Sequence, residues 1–362
     1  VLASTNKKLF EDYGNDIWSL VMDRLNIWLD YSGNYEDLEA EDLVRLGFCD
    51  PVKLFVKDEP HSKEKVKDGR YRLISSVSIV DQIIERLLHS RLNGNCIEMW
   101  DECPSKCGLG LHDDGMILIT ESIKRLIALR GEVMATDVSG WDWSVQGWEI
   151  RDAMEVRIKL AQATEDSVFA HLCRINAMVV SSSVFVDPDG NCYAQTSPGI
   201  QLSGRYCTSS DNCFMRIVAC LHARIMAGLE PLVDGKCGID AMGDDSVEVA
   251  FEQILEQYEK IGHRIKGVTY NSSVEGVEFC SQVFAESGLA KPVQASKTVF
   301  RFLSRSKDTQ EYPELWAQLS WYLRHLGGPE KEKIRKLAMA RVDRVINRIN
   351  GESKKPTTQA SG

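Results

Sequence analysis

The sequence predicts an α+β fold built around an antiparallel sheet. Three observations carry this expectation. Several long stretches place apolar residues at helical spacing, two turn signals (Asp187-Pro188-Asp189-Gly190 and Gly243-Asp244-Asp245) sit between extended runs, and a short apolar run at 132–137 ends in an acid.

Residues 6–30 read as a helix with Phe10, Ile17, Leu20, Val21, Leu25 and Trp28 inward, and 31–42, polar and acidic, as a surface connection. Residues 53–80 combine short extended runs with basic loops. Ile83, Ile84, Leu87 and Leu88 make 81–92 helical; 94–115, rich in Gly, Cys and Pro, is loop, and 116–130 return to helical spacing. Residues 132–137 read as a buried strand, 144–163 as a helix, and 179–196 as a hairpin turning at Asp187-Pro188-Asp189-Gly190. From Ser209 to Gly228, the side chains of Phe214, Ile217, Val218, Leu221 and Ile225 share one helical face, and Gly228 suits the stop. A tight hairpin over 237–250 carries Gly243-Asp244-Asp245 at its tip. A helix with Phe251, Ile254, Leu255 and Tyr258 follows, closed by Gly262, and two short strands occupy 275–285. Gly327-Gly328-Pro329 opens the last helix, with Ile334, Leu337, Ala338, Arg341, Val342, Val345, Ile346 and Ile349 on one face. Residues 352–362 are polar and aperiodic, as in a disordered tail.

A length of 362 residues predicts two or three packed units, and 43% apolar with 27% charged residues is ordinary for a soluble globular protein. No run of eighteen apolar residues occurs, so no transmembrane helix is expected. The start, Val1-Leu2-Ala3-Ser4-Thr5, lacks a secretory layout and a Met, which suggests a trimmed precursor. Eleven cysteines without a C-x-x-C pair read as reduced thiols in a cytosolic compartment rather than a disulfide scaffold or zinc site. The net charge is −10, but its distribution is uneven. Residues 53–72 hold seven bases against four acids and 324–348 hold eight against three, two basic zones in an acidic background.

Four constellations carry chemistry. Asp137-Val138-Ser139-Gly140-Trp141-Asp142 stands at a strand end; alone, it reads as well as a cap for the next helix. Gly243-Asp244-Asp245 sits between two apolar runs and, alone, is an ordinary turn. Three carboxylates converging on one edge, however, can hold two Mg²⁺ ions that clamp an attacking hydroxyl and a triphosphate in line. Asp137 and Asp244 would be the main ligands and Asp245 a weaker one. Ser203-Gly204-Arg205-Tyr206-Cys207-Thr208-Ser209-Ser210-Asp211-Asn212 offers a helix cap, or neutral partners (Ser203 and Asn212, oriented by Asp142) for a ribose 2′-hydroxyl. Lys57-Asp58-Glu59 and 64–74 alternate bases along an extended segment, either a solvated loop or a grip for a triphosphate.

In that order the four resemble motifs F, A, B and C of viral RNA-dependent RNA polymerases, with a complete S-G-x3-T-x3-N match and the G-D-D typical of positive-strand viruses. Arg72-Leu73-Ile74-Ser75-Ser76-Val77-Ser78-Ile79-Val80-Asp81-Gln82, Gly140-Trp141-Asp142-Trp143-Ser144-Val145-Gln146 and Tyr206-Cys207-Thr208-Ser209-Ser210 are similar to the sobemovirus and polerovirus type. The resemblance covers roughly 53–285. It implies a right-hand polymerase: fingers from 1–131 and 164–198, palm from 132–163 and 199–285, thumb from 286–351. It implies Asp137, Asp244, Asp245 and the Val138 carbonyl at the metals, and Asp142, Ser203 and Asn212 at the ribose with Thr208 supporting them. It puts Arg72 on the incoming triphosphate, Lys57, Lys65 and Arg70 along its approach, and Ile74 against the template base. Residues 277–284 resemble the primer grip, with Phe279, Cys280 and Ser281 at its centre. Lys266, with Lys260 as alternative, takes the place of the general acid for pyrophosphate. The chain is short for a fully encircled hand, so the segments bridging fingers to thumb are expected to be reduced or missing.

The implied reaction is template-directed RNA synthesis replicating a positive-strand viral genome, with two Mg²⁺ ions (or Mn²⁺). The implied partners are template and nascent RNA, NTPs, a genome-linked protein primer and other viral replication proteins. The implied place is the host cytoplasm, in membrane-associated complexes recruited by those proteins. Rivals are a reverse transcriptase, which Asp142, Ser203 and Asn212 argue against, and an inactive RNA-binding subunit, which the full carboxylate set argues against. A metal-dependent nuclease would leave 53–74 unexplained.

Overall fold

The chain places its two acid-bearing turns on one sheet. The computed structural model describes Ala3 and residues 5–35, 37–57, 59, 61, 63–304 and 312–352. Strand β3 (Val133–Val138) is flanked by β7 (Asp245–Val249) and β8 (Ile265–Asn271), with β6 (Ile239–Met242) at the edge, every neighbour antiparallel. Val133 and Met134 are both fully buried although they point to opposite faces, so the strand is covered on both sides. One cover is α5 (Asp113–Arg130), which turns Met116, Ile119, Ile123 and Leu126 inward at helical spacing. Cys213, Ile217 and Cys220 of α9 (Thr208–Met226) and Ile254 and Tyr258 of α10 (Gln253–Lys260) complete that core. Helix α10 ends at Gly262, whose φ of +107° suits a helix stop. The β8 strand was not expected; its exposed side chains do not alternate cleanly, so no period of two marks it.

A second sheet, in the order β2-β1-β4-β5, joins distant parts of the chain. Strands β1 (Val52–Val56) and β2 (Leu73–Ser76) are antiparallel, and β1 runs parallel to β4 (Val184–Val186), which hairpins into β5 (Cys192–Ala194) through the expected turn at Asp187 to Gly190. That hairpin is shorter than 179–196, because Val179 and Val180 belong to α8 (Val168–Ser181), started by a Ser167 cap on Ala170. A fully buried apolar run has no polar face to reveal its period. The basic segment is also corrected: 63–67 form a short helix, α3 (Lys63–Lys67), not an extended run. Residues two apart on a helix point to nearly opposite sides, so Lys63, Lys65 and Lys67 do not line one edge.

Further adjustments are local. Helix α1 (Asn6–Asp30) buries Ile17, Val21 and Trp28 but leaves Phe10 and Leu20 exposed. Helix α2 (Ala40–Arg45) begins within the expected connection, and α4 (Ile79–Glu98) outruns 81–92 at both ends, starting at a Ser78 cap on Asp81. The helix expected over 144–163 is two: α6 (Trp141–Ser144) and α7 (Gly147–Leu160), the latter started by a Gln146–Glu149 capping box. Strands β9 (Glu278–Phe279), β10 (Gln282–Phe284) and β11 (Ala290–Pro292) form a third sheet. Helices α11 (Ala295–Ser304), α12 (Tyr312–Tyr322) and α13 (Gly328–Glu352) pack on their own core of Val299, Phe302, Leu319, Leu323, Ile334 and Ala338. Leu337 is exposed, so the buried stripe of α13 is narrower than expected; its side chains at 341 and 344–352, and the tail from 353, lie outside the described residues.

Candidate active site

Asp137 and the Gly243-Asp244-Asp245 turn meet because β3 and β7 are neighbours in register. Thr136 lies opposite Ser246, and the next step along both strands brings Asp137 and Asp245 to the same sheet end. Met242 pairs with Asp245, so Gly243 and Asp244 form a two-residue turn, and the φ of +69° at Gly243 is the value such a turn demands. The turn is pinned from below: the Gly243 N–H donates to Cys213 Sγ at 3.2 Å, and that thiol donates to the Ala241 carbonyl at 3.3 Å. Alternation sends Thr136 inward, where fully buried Arg216 donates to its hydroxyl at 2.7 Å and to that of Ser246. Glu248 accepts from Thr136, Tyr258 and Cys220 in the same network. Asp137 therefore faces the open side of a sheet held rigid beneath it.

The open side is over-supplied with negative charge. Burial, then the charges of Asp244 and Asp137, push the Asp245 carboxyl up to about 6. Burial and Asp244 push Asp142 up to about 6, against the pull of Arg72. The cation paired directly with Asp137 is Lys266, whose Nζ stands 2.9 Å from Asp137 Oδ2. Its placement comes from a β-bulge. Asp137 pairs with Gly267 but Val138 with Ile265, so Lys266 is the extra residue, re-aimed toward the acid. Lys266 is therefore an exposed strand residue beside the acids, not a lysine at a helix end.

Among the described residues, no three His, Cys, Asp or Glu side chains could enclose a metal ion by themselves. The donors present are hard carboxylate oxygens on exposed side chains beside acids that already repel one another. That set fits Mg²⁺, which keeps waters and binds through one or two carboxylates plus substrate phosphates. Val138 buries its side chain, so only its backbone oxygen could join them.

A cleft of about 790 Å³ opens here, lined by Arg72, Asp137, Asp244, Asp245, Lys266, Phe279, Cys280 and Ser281. Cys280 and Ser281 form the β9–β10 turn with φ of +52° and +59°, a left-handed conformation that non-glycine residues hold only at a cost in backbone strain. Lys297, Arg301 and Tyr322, which the sequence reading missed, line the same cleft. Their only signal is the i, i+4 spacing of Lys297 and Arg301 outside both basic zones. Arg301 of α11 donates to Glu59 at 2.8 Å, so that helix touches the segment between β1 and β2, and Glu59 also holds Lys57 at 3.5 Å. The cleft wall does not include Lys57, Lys65, Arg70 or Ile74. Arg70 is paired with Asp68 at 2.7 Å on the surface, Lys65 lies on α3, and Ile74 is half-buried on β2 opposite Phe55. Asp58 lies outside the described residues.

Asp142, Ser203, Thr208 and Asn212, expected at the ribose, are not among the residues lining the cleft; Asp142 feels the charges of Asp244 and Arg72. The Ser203 N–H donates to Ser75 Oγ at 2.8 Å, docking the loop before α9 on β2. Thr208 Oγ1 donates to the Leu202 carbonyl at 2.8 Å and accepts from the Arg205 N–H at 3.1 Å, closing that loop on itself. Asn212 is buried and accepts from Trp141 Nε1 at 2.9 Å. Beneath them is a buried ion network that sequence reasoning also missed: Asp211 between Arg157 and Arg205, and Glu85 on Arg205. Gly204 is required by space, since a Cβ would lie 2.0 Å from the Ser75 carbonyl oxygen. Gly204→Ala is expected to destabilise the chain by about 1–3 kcal/mol in denaturant unfolding. An unchanged midpoint would mean that the loop moves freely off β2.

A family profile described as viral RNA-directed RNA-polymerase matches residues 1–290. The RNA-directed RNA polymerase of mushroom bacilliform virus is 44% identical over 346 residues, 95% of this chain and 81% of that protein. The replicase polyprotein P2AB of southern cowpea mosaic virus is 37% identical over 91% of this chain, which spans only 34% of it. Protein P1-P2 of potato leafroll virus is 38% identical over 78% of this chain, and the match spans 26% of that protein. Among solved structures, a Sicinivirus 3Dpol RNA dependent RNA polymerase superposes with a TM-score of 0.69 at 18% identity, over 91% of this chain and 66% of that one. At that identity the likeness speaks for the fold.

Proposed function

This chain belongs to the viral RNA-directed RNA polymerase family and has its right-hand α+β fold, and from that premise we propose that it copies RNA templates by two-metal nucleotidyl transfer. The observation that carries the reading is the meeting of Asp137 with Asp244 and Asp245 at one sheet end, in a cleft shared with Arg72 and Lys266. Asp137 and Asp244 would hold two Mg²⁺ ions, or Mn²⁺, with Asp245 and the Val138 carbonyl beside them. When bound, such ions lower the pKa of a primer 3′-hydroxyl and neutralise the triphosphate.

The chain's own residues account for the rest. Arg72 binds the incoming triphosphate through its guanidinium. The 3′-hydroxyl gives up its proton to bulk water as its oxygen bonds to the α-phosphorus and the bond to the bridging oxygen of the β-phosphate breaks, and Lys266 gives a proton to the departing pyrophosphate. Asp142, Ser203 and Asn212 read the ribose, and Phe279, Cys280 and Ser281 hold the primer end. Lys297 and Arg301, in the same cleft, grip RNA phosphates.

The fingers are 1–131 with 164–198, a grouping supported by the parallel β1–β4 pairing. The palm is 132–163 with 199–285, and the third sheet continues to Pro292 before the thumb helices begin. The partners are template and nascent RNA, NTPs, a genome-linked protein primer and other viral replication proteins. Among the described residues, no helix is long and apolar enough to cross a membrane. We place the chain in membrane-associated replication complexes of the host cytoplasm, recruited through those proteins.

The test is extension of a primer on an RNA template by the purified chain with Mg²⁺ and four NTPs. Complementary RNA should form and EDTA should abolish it; no product on any template would overturn the reading. Lys266→Met should slow single-turnover addition by roughly 10²–10⁴-fold, as expected for loss of a general acid. An unchanged rate would remove Lys266 from the chemistry.

A further inference from the structure

We infer that Gln201 is a positioning residue for ribose selection, one that turns the Asn212 amide so that it meets the nucleotide as a hydrogen-bond donor. The inference rests on the polymerase reading of the cleft and adds to it a residue and a direction.

An amide side chain can present either its oxygen or its nitrogen, and only its surroundings decide which. Here both ends of the relay are groups that can only donate. Arg205 is buried, with Nε on Glu85 Oε1 at 2.6 Å and one terminal nitrogen on Asp211 Oδ2 at 2.7 Å. Its other terminal nitrogen donates to Gln201 Oε1 at 2.9 Å, which obliges Gln201 to turn its Nε2 the other way. That nitrogen donates to Asn212 Oδ1 at 2.9 Å. Trp141 Nε1, also a donor only, reaches the same oxygen at 2.9 Å. A flipped Asn212 would set its NH₂ against two donors inside a buried site. The orientation is therefore determined, and among the described residues Asn212 Nδ2 has no partner.

The Gln201 N–H also donates to the Asp142 carbonyl oxygen at 2.7 Å, so one residue ties together the backbone carrying Asp142 and the side chain of Asn212. On the polymerase reading, a 2′-hydroxyl meeting both would bind in one sense: its oxygen would accept from Asn212 Nδ2 and its hydrogen would go to the Asp142 carboxylate. A deoxyribose makes neither bond and leaves both groups unmatched.

The experiment compares kcat/KM for a ribonucleotide and for its 2′-deoxy counterpart, using the full chain on an RNA template and primer. Gln201→Glu keeps an acceptor for Arg205 but cannot donate to Asn212. Ribonucleotide use should fall roughly tenfold while deoxynucleotide use holds, because the latter never made the bond. Damage to the fold would slow both alike. Equal slowing of both substrates, or an unchanged ratio, overturns the inference. If Gln201→Glu abolishes synthesis altogether, Gln201→Met decides, since it cannot donate to Asn212 and adds no buried charge: the same selective loss is expected, and loss of both substrates or of neither overturns the inference. Failure of the polymerase reading is separate: the unaltered chain would then incorporate neither substrate.

Discussion

Asp244→Asn is expected to reduce RNA synthesis on the order of a thousandfold or more, since an ion's charge stabilisation is worth several kcal/mol and each 1.4 kcal/mol is tenfold. Fold and RNA affinity should stay near those of the unaltered chain. The asymmetry follows from where the residue sits. Asp244 is exposed at the tip of the β6–β7 hairpin and makes no hydrogen bond or ion pair among the described residues. The turn is held by Gly243, through its positive φ and its contact with Cys213, and not by the carboxylate. Asparagine has the same shape and removes a negative charge from a site where Asp142 and Asp245 already feel it. Primer extension, thermal unfolding and filter binding to RNA read the three quantities separately. A variant that unfolds, or one that still extends primers at the original rate, would contradict the assignment of Asp244 to the metal site.

The second large effect falls on stability. Asp211 is fully buried and accepts from Arg157 Nε at 2.8 Å and from Arg205 at 2.7 Å. Replacing it by Asn removes the carboxylate that answers the Arg157 charge and leaves, among the described residues, the neutral acceptors Asn93 and Ser210 beside the new amide. Stripping one partner from a buried ion network costs about 3–5 kcal/mol. The same carboxylate sets an acid limit. Burial by itself would raise the Asp211 pKa, but the two guanidiniums outweigh it and hold the group below the ordinary carboxylate value. The folded-state pKa is thus depressed. The stability it contributes is complete above the unfolded-state value near 4 and drains away as pH falls through the lower folded value. Denaturant unfolding at pH 7 and through the acid range should show Asp211→Asn far less stable at neutrality and less sensitive to acid. Curves that stay parallel through the acid range would mean that Asp211 is not the group responsible.

Much of this was legible from neighbours in the chain. Helix α9 announces itself through Phe214, Ile217 and Leu221. The β6–β7 hairpin does so through Gly243, because a two-residue turn needs a positive φ and glycine supplies it. What stayed hidden lacks a local signature. Val179 and Val180 read as strand until the surrounding elements show a helix buried on all sides. Lys266 lies on a strand whose exposure does not alternate, and its aim depends on a bulge that only the pairing with β3 creates. The basic run from Lys57 to Arg72 looked like one anion grip. In space it is divided, with Arg70 on Asp68, Lys57 on Glu59, and only Arg72 in the cleft. Lys297 and Arg301 join the cleft because their helix, α11, packs against α12 and α13 through Val299 and Phe302.

The amino-acid order by itself determined which chemical groups are available and which turns and helices carry them, since φ preferences, caps and apolar spacing act over a few residues. Tertiary structure alone decided which charges face one another. Asp137 and Asp244 are more than a hundred residues apart, and like-charged carboxylates do not seek each other out. They are held together by β3–β7 pairing and by the buried Arg216 network beneath it, whose combined free energy exceeds the repulsion at the tip.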